Sequence, residues 1–160
     1  MADKENNGAT FVVFSGDMDK VFAALIMATG AAAAGMETTM FFTFWGVKAI
    51  QKGTFTGKGF FGRMLGLMNR GGINRIGPSR FNFGGIGRWM FKKMMNDKGV
   101  AKLEELLQMA IDLDVRLLGC GMSMDVMEIS REDLIDEVEE IVGVGTMIKA
   151  ASESKISMFI

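Results

Sequence analysis

The sequence of 160 residues contains no histidine, one proline and a single cysteine. The lack of histidine excludes Ser-His-Asp and Cys-His catalysis, histidine metal sites and proton transfer through an imidazole ring. One cysteine excludes an internal disulfide framework and is typical of a reducing compartment. The polar residues 1–7 lack the apolar run of a secretory signal. We therefore expect a cytoplasmic protein, folded as one domain over residues 1–160, with no cofactor and no metal.

The charge of the chain is divided unequally, although its net value is only −1. Residues 52–98 hold ten lysine and arginine residues against Asp97 alone, which gives this segment a net charge of +9. The rest of the chain holds eight basic and eighteen acidic residues, a net charge of −10. The basic segment is rich in Gly, Met and Phe, with eleven glycines between residues 53 and 87. The sequence thus predicts an irregular basic insertion in an acidic body, with short amphipathic segments near residues 62–69 and 87–96.

Five apolar or β-branched segments alternate with helical patterns along the chain. The predicted strands are residues 10–14, 38–45, 115–119, 139–142 and 155–160. The pattern at residues 18–34 predicts a buried crossover helix, because the uncharged stretch at residues 21–36 is short for a membrane span. Apolar residues at helical spacing predict another helix over residues 100–113. This alternation predicts an α/β fold, a three-layer α/β/α domain with a mainly parallel sheet of about five strands.

The single cysteine, Cys120, lies between two glycines at the end of the third predicted strand. Ser123 follows at a position where it would cap the next helix, so that the helix N-terminus lies near the sulfur. Such a position lowers the pKa of a thiol and increases the fraction of reactive thiolate. The flanking Gly119 and Gly121 would leave the sulfur open to a ligand or a partner backbone. The alternative is that Cys120 is a small buried apolar residue, as free cysteines usually are.

Polar and glycine residues also follow the first and second predicted strands. In a parallel sheet the carboxyl ends of the strands meet at one edge, where ligands and catalytic groups collect. We therefore expect residues 15–17 and 45–46 to line a pocket around Cys120, and the residues after Cys120 to stabilise a sulfur anion. The predicted pocket residues are Ser15, Gly16, Asp17, Trp45, Gly46, Gly121, Met122 and Ser123.

Three other motifs have simpler explanations than the sites they suggest. Residues 57–62 match the dinucleotide pattern G-x-G-x-x-G, but no clean strand precedes them and no acidic residue follows at the required distance. Asp17 and Asp19 lie at a strand-to-helix turn, where capping explains two carboxylates better than a metal does. The methionines after the cysteine have the soft sulfur ligands of a Cu(I) site, but core filling is the simplest role of methionine.

The basic insertion has three interpretations. Its Arg-Gly-Gly and Phe-Gly elements are typical of proteins that bind single-stranded nucleic acid. Its Met, Phe and Arg content also suits a segment that contacts a membrane surface or a protein partner. The third interpretation is a homo-oligomer, in which the insertion packs on the acidic body of another subunit. The sequence favours the homo-oligomer, leaves peripheral membrane contact open and gives nucleic-acid binding the least support.

Four parts of the chain carry a family resemblance. Residues 119–129, Gly-Cys-Gly-Met-Ser-Met-Asp-Val-Met-Glu-Ile, resemble the cysteine motif of DsrE/DsrF-like proteins, closest to the DsrE-type sulfurtransferase subgroup sometimes labelled peroxiredoxin family. Residues 11–20, residues 41–46 and the Gly/Met/Phe-rich insertion are also similar to that subgroup, so the likeness covers nearly the whole chain. The peroxiredoxin label does not carry over, because the chain has no resolving cysteine.

The resemblance implies a small α/β sulfur-relay protein, usually oligomeric, in which Cys120 carries a persulfide. We therefore expect a sulfurtransferase whose Cys120 accepts sulfane sulfur from a donor protein or a small persulfide and passes it to an acceptor thiol. The alternative is a non-catalytic oligomeric module that docks on a membrane or a protein partner through the insertion. In that case Cys120 would be merely structural.

Overall fold

Strands and helices alternate along the chain in a computed structural model that describes residues 7–160. The strands are β1 (Gly8–Val13), β2 (Glu37–Phe42), β3 (Arg116–Cys120), β4 (Glu140–Val142) and β5 (Ser154–Phe159). The α-helices are α1 (Met18–Ala33), α2 (Phe60–Met68), α3 (Ile86–Asp97), α4 (Leu103–Asp112), α5 (Gly121–Val126) and α6 (Val144–Ser152). Short 3-10 helices occupy Phe44–Ile50, Phe83–Gly85 and Arg131–Asp133. The expectation about a secretory signal rests on residues 1–7. Of these, all but residue 7 lie outside the described residues.

The five strands form one sheet in the order β4-β3-β2-β1-β5, and all neighbouring strands are parallel. The chain moves outward from β1 through β2 and β3 to β4, then crosses to the far side of β1 for β5. The carboxyl ends of β1, β2 and β3 therefore lie side by side at one edge of the sheet. The predicted α/β fold with a mainly parallel sheet is confirmed.

Helices cover both faces of the sheet and give the domain three layers. On one face, α1 and α4 pack on each other and on inward side chains such as Phe11 and Val13 of β1. On the other face, Val12 of β1 and Phe41 of β2 belong to a smaller cluster that includes Met147 of α6. The inner strands are thus buried on both sides, which explains why they are continuous apolar runs and not alternating ones.

The second strand is shorter than the sequence predicts. The β-favouring composition predicts a strand over residues 38–45, but β2 ends at Phe42 and a 3-10 helix begins at Phe44. Phe44 has a φ of 47°, a left-handed conformation that is uncommon for a residue other than glycine. The chain therefore leaves the sheet before Trp45, and both aromatic side chains are exposed.

The crossover helix α1 occurs where the sequence predicts it. Val21, Leu25 and Ala28 share one face of this helix and are fully buried in the core. Within residues 7–160, no helix is both long enough and apolar enough to cross a membrane.

The basic insertion contains two helices joined by irregular chain. Helices α2 and α3 lie at the two places where the sequence predicts amphipathic segments. Carboxylates of the acidic body accept hydrogen bonds from uncharged groups of the insertion: Asp19 accepts them from the Ser79 N–H and hydroxyl, both at 2.8 Å. Glu128 accepts the N–H of Gly59 at 2.7 Å and that of Lys58. Part of the attraction between the basic insertion and the acidic body therefore lies within one chain.

Candidate functional site

Cys120 is the last residue of β3 and the N-cap residue of α5. It packs with Val12, Phe41 and Leu118 in the smaller apolar cluster of the sheet. Only 8% of the residue is exposed. The sulfur therefore lies at the carboxyl edge of the sheet, in a mainly apolar environment with little contact with water.

Burial and hydrogen bonding have opposite effects on the pKa of Cys120. Burial is the largest single effect on the pKa of this thiol and raises it, because desolvation disfavours the thiolate. The hydroxyl and N–H of Ser123, the hydroxyl of Thr43 and the N–H of Met122 hydrogen-bond the sulfur and lower the pKa. Together these donors outweigh burial, so the pKa of Cys120 lies below the ordinary value of a thiol. The site thus favours the thiolate, which is the nucleophilic form.

Ser123 contributes from inside the helix, and the prediction that it is the N-cap residue is wrong. Strand β3 extends one residue further than predicted, so α5 begins at Gly121 and Cys120 occupies the N-cap position. Ser123 is consequently in the first turn and buried, with its hydroxyl 2.9 Å from that of Thr43. The first N–H groups of a helix have no partner within it, so those of Met122 and Ser123 are available to the sulfur.

Thr43 is a residue of the thiol site that the sequence analysis did not identify. It directly follows β2, the strand that pairs with β3. The predicted strand over residues 38–45 placed Thr43 inside the strand and hid its position at the edge. The sequence feature that could have identified Thr43 is its hydroxyl side chain directly after the apolar Met40–Phe42 run, because this run belongs to a predicted strand and the next predicted strand ends near Cys120.

The two glycines beside Cys120 differ in the space around them. A Cβ atom on Gly119 would lie 3.4 Å from the Sδ of Met124, which is an ordinary contact. A Cβ atom on Gly121 would lie 3.3 Å from the Cγ2 of Ile141, so this side chain would have to shift. The side chain of Met122 is 73% exposed. Gly121 and Met122 therefore form the outer side of the thiol site.

The residues that follow β1 and the start of the first 3-10 helix line a separate cleft of about 610 Å³. Cys120 is not among the residues that line it. Asp17 is the N-cap residue of α1, as predicted, but its carboxylate accepts the Ser15 hydroxyl at 3.0 Å and caps no helix N–H. In the described part of the chain, no three Cys, Asp or Glu side chains are grouped so as to hold a metal ion. The predicted pocket residues found in this cleft are Ser15, Gly16, Asp17 and Trp45.

Gly46 and Gly16 allow close packing between the end of β1 and the first 3-10 helix. A Cβ atom on Gly46 would overlap the carbonyl oxygen of Val13, and one on Gly16 would overlap that of Trp45. The N–H of Gly46 donates to the carbonyl of Phe14 at 2.9 Å. These two predicted pocket residues therefore hold two segments of backbone together at the edge of the sheet.

Exposed apolar side chains lie at the same edge as Cys120. Ile141 pairs with Gly119 across β3 and β4, and Val144 follows at the start of α6. Met122 and Val126 belong to α5, and all four of these apolar side chains are exposed. Clustered exposed apolar residues are typical of surfaces that bind another protein.

Known proteins resemble this chain over nearly its full length. The family model described as DsrE/DsrF/DrsH-like matches residues 5–159. A protein of Bacillus subtilis (strain 168) named "Uncharacterized protein YrkE" is 38% identical over 159 residues, which cover 98% of this chain and 99% of that protein. The "Sulfur carrier protein DsrE2" of Allochromatium vinosum is 28% identical over 159 residues, with the same two coverages.

A solved structure shares the fold. The crystal structure of the ychN protein from E. coli covers 96% of this chain and 99% of its own, with a TM-score of 0.57 and 14% sequence identity. The family match over residues 5–159 and the relative with 38% identity agree with the resemblance carried by residues 119–129. The chain belongs to the DsrE/DsrF/DrsH-like family.

Proposed function

We propose that the protein is a sulfur carrier, in which Cys120 holds sulfane sulfur as a persulfide and relays it between partner thiols. Family membership supports a role in sulfur relay, and the relative named Sulfur carrier protein DsrE2 supports the identity of the cargo. The observation that carries the proposal is one buried cysteine at the N-cap position of α5, beside the paired hydroxyls of Thr43 and Ser123.

The groups that donate hydrogen bonds to Cys120 assist both halves of a relay. They lower the pKa of Cys120, so more thiolate is present at neutral pH to attack the sulfur of a donor. A thiol of low pKa is also a better leaving group, so the same donors speed the discharge of the persulfide. One cysteine is sufficient, because the thiolate of the next partner completes the transfer.

The transfer proceeds in two displacement steps. The Cys120 thiolate attacks the outer sulfur of a donor persulfide, R–S–SH, so that a new S–S bond forms and the donor leaves as its thiolate. An acceptor thiolate then attacks the outer sulfur on Cys120, and Cys120 leaves as a thiolate again. No external oxidant or reductant is consumed, because the sulfane sulfur keeps its oxidation state throughout.

Protein partners would reach the sulfur from the outer side of the thiol site. Cys120 is only 8% exposed, but a persulfide places its outer sulfur about 2 Å further out. The exposed side chains of Met122, Val126 and Ile141 offer an apolar surface to a donor or acceptor protein. We infer that this relay takes place in the cytoplasm, in a homo-oligomer whose basic insertion packs on the acidic body of another subunit.

Persulfide loading tests the proposal. The purified protein is incubated with a small-molecule persulfide, and its intact mass is measured with and without subsequent dithiothreitol. We expect the wild type to gain the mass of one sulfur atom and to lose it on reduction, and the Cys120→Ser variant to gain nothing. A wild type without the adduct, or an equal adduct on Cys120→Ser, would falsify the proposal.

A second candidate function is docking on an anionic membrane surface through the insertion. Phe60 on α2 and Trp89 on α3 are 80% and 66% exposed, and both lie in a segment of net charge +9. Apolar and cationic residues in alternation suit the interface of an anionic bilayer.

Sedimentation with vesicles tests this second candidate. We expect the protein to sediment with phosphatidylglycerol vesicles and to remain in solution with phosphatidylcholine vesicles. Replacing Phe60 by serine should reduce sedimentation, whereas replacing the exposed Met109 of α4 should not. Equal binding to both lipids, or an equal loss in the two variants, would count against docking through the insertion.

A further inference from the structure

A second cavity, of about 330 Å³, is lined largely by the basic insertion and carries only positive side-chain charge. Within the described residues, no Asp or Glu belongs to its lining. Two amides, a few apolar side chains and several glycines complete the wall. The cationic lining residues are Lys48, Arg70, Arg75 and Arg88.

Among the described residues these four cations have no direct ion-pair partner, although the charge of Asp17 acts on Lys48 from beyond ion-pair distance. In the part of the chain that the structure describes, no Asp or Glu oxygen lies within ion-pair distance of any of them. The Nε of Arg70 donates to the carbonyl of Gly53 at 2.7 Å, and Arg88 donates to the carbonyl of Arg75. Four like charges around one cavity repel each other, and a bound anion would offset that cost.

Four cations elsewhere in residues 7–160 are paired with carboxylates. Lys52 lies 2.7 Å from Asp136, and Arg116 lies 3.0 Å from Glu139. The acidic body has an excess of carboxylates, but among the described residues none of them forms an ion pair with a cation of the cavity. The distinguishing feature of the cavity is that four cations without an ion pair line one concave space, which suits an anion from outside the chain.

The ammonium group of Lys48 is partly buried. Burial lowers the pKa of Lys48, because desolvation disfavours the charged form, although the charge of Asp17 acts in the opposite direction. Its Nζ donates to the side-chain oxygen of Asn69, which is a neutral partner. An anion in the cavity would satisfy this half-buried ammonium group.

Backbone groups add to the positive potential of the cavity. Gly84 and Gly85, with φ values of 68° and 110°, line the cavity and lead into α3, a helix of 12 residues that begins at Ile86. The N-terminus of such a helix carries partial positive charge and presents N–H groups to anions. The conformation of the two glycines is one that other residues rarely adopt.

We propose that this cavity is a binding site for a ligand that carries a phosphate- or sulfate-type oxyanion. Guanidinium groups form paired hydrogen bonds with such oxyanions, and three arginines line the wall. The oxyanion belongs either to a small soluble ligand or to the headgroup of a lipid. Lys48, Met68 and Asn69 also line the larger cleft, so the two cavities adjoin and leave room for the rest of a larger ligand.

This site is independent of the sulfur relay. Cys120 does not line the cavity, so binding of the oxyanion requires no thiol. We expect Cys120→Ser to bind the oxyanion as tightly as the wild type does. A failure of persulfide loading would therefore not count against the oxyanion site. An absence of oxyanion binding would likewise not count against the sulfur relay.

Calorimetric titration with inorganic phosphate and with sulfate tests the site, with sodium chloride at matched ionic strength as the reference. Arg75→Gln is the main variant, because the Arg75 guanidinium makes no hydrogen bond within residues 7–160 and its loss should not disturb the fold. Arg88→Gln is the second variant. Lys98→Gln is the matched control, since it removes the same charge from the insertion at a position outside the cavity.

We expect saturable binding to the wild type and to Lys98→Gln, and a dissociation constant at least about tenfold higher in Arg75→Gln and Arg88→Gln. Phosphatidylglycerol vesicles form the second arm: Arg75-dependent binding to vesicles without binding of free phosphate would identify the ligand as a lipid headgroup. Arg75-dependent binding of free phosphate would identify a soluble ligand. The absence of binding in both arms, or an equal loss in Arg75→Gln and Lys98→Gln, would overturn the proposal.

Discussion

The hydroxyl oxygens of Thr43 and Ser123 lie 2.9 Å apart beside the Cys120 sulfur. Each hydroxyl has one proton, so both can donate to the thiolate only when neither donates to the other. When the sulfur is protonated, one hydroxyl is free to donate to its neighbour. Ionisation of Cys120 therefore changes the hydrogen bonding between a residue that follows β2 and a residue of α5.

Replacing Ser123 by alanine should raise the pKa of Cys120. Burial already raises this pKa, and the Ser123 hydroxyl is one of the donors that oppose it. A hydrogen bond to a charged group contributes about 1.5–3 kcal/mol, of which the Thr43 hydroxyl offsets a part, so the thiolate fraction at neutral pH should fall roughly several-fold. The pH dependence of the alkylation rate measures the change, because only the thiolate reacts; the rate at high pH should match that of the wild type.

Ser15→Ala is the matched control for this prediction. The Ser15 hydroxyl donates to Asp17 in the separate cleft, so its loss should leave the pKa of Cys120 unchanged. An unchanged alkylation profile in Ser123→Ala would show that its hydroxyl does not stabilise the thiolate. A shift in Ser15→Ala would instead support the expectation from the sequence that residues 15–17 act on the sulfur.

The pair of hydroxyls should make the effects of two substitutions non-additive. In Thr43→Val, the Ser123 hydroxyl no longer has the Thr43 hydroxyl as an alternative partner. It can then donate to the thiolate without giving up another hydrogen bond, which offsets part of the rise in the pKa of Cys120. The same compensation applies to Thr43 in Ser123→Ala. The double variant has no compensation, so it should raise the pKa of Cys120 by more than the sum of the two single shifts. Strictly additive shifts in the alkylation profiles would exclude the exchange of hydrogen bonds between the two hydroxyls.

The fold was largely predictable because its signals are local. Continuous apolar runs such as Phe11–Val13 predict inner strands of a parallel sheet, and the helical pattern between runs predicts the crossovers. The position of Cys120 at the end of a strand followed from the glycines beside it. The family resemblance then identified the thiol as the residue of interest, which periodicity alone could not do.

The rest of the site depends on geometry that residue types do not encode. The end of β2 is set by the left-handed conformation of Phe44, which the preferences of an aromatic residue argue against. That turn is what releases Thr43 from the strand and brings it to Ser123. Similarly, the arginines of the oxyanion cavity are spread over residues 70–88, and only the packing of α3 brings them together.

Gly46 should tolerate no side chain, because its backbone lies against that of β1. A Cβ atom at this position would overlap the carbonyl oxygen of Val13, which is backbone and cannot move aside alone. We expect Gly46→Ala to lower the free energy of unfolding by about 1–3 kcal/mol, as overpacking typically does. Chemical denaturation measures the loss.

Gly30 provides the matched control for that substitution. It lies inside α1, and no atom lies within 4 Å of the position that its Cβ would take. Gly30→Ala should therefore raise the free energy of unfolding by about 0.5–1 kcal/mol, since alanine favours the helix. A Gly46→Ala variant as stable as the wild type would show that the end of β1 and the 3-10 helix are not in close contact.

Glu128 should determine how firmly the start of α2 is attached to the body of the protein. Its carboxylate accepts the N–H of Gly59 at 2.7 Å and that of Lys58, just before the helix begins. Glu128→Gln should increase the rate of amide hydrogen exchange at these two residues and in the first turn of α2. Asp125→Asn makes the same change of charge on α5 without a bond to the insertion, and should leave that exchange unchanged.

The attachment through Glu128 should also depend on pH in a defined direction. The N–H groups of Gly59 and Lys58 hold the pKa of Glu128 below the ordinary value of a glutamate. A lowered carboxyl pKa stabilises the folded form fully above the ordinary pKa of about 4.3, and the benefit is lost as the pH falls through the lowered value. The difference in exchange between wild type and Glu128→Gln should therefore be largest near neutral pH and disappear in acid. A difference that persists after the carboxylate is protonated would mean that the side chain acts through its shape and not through its charge.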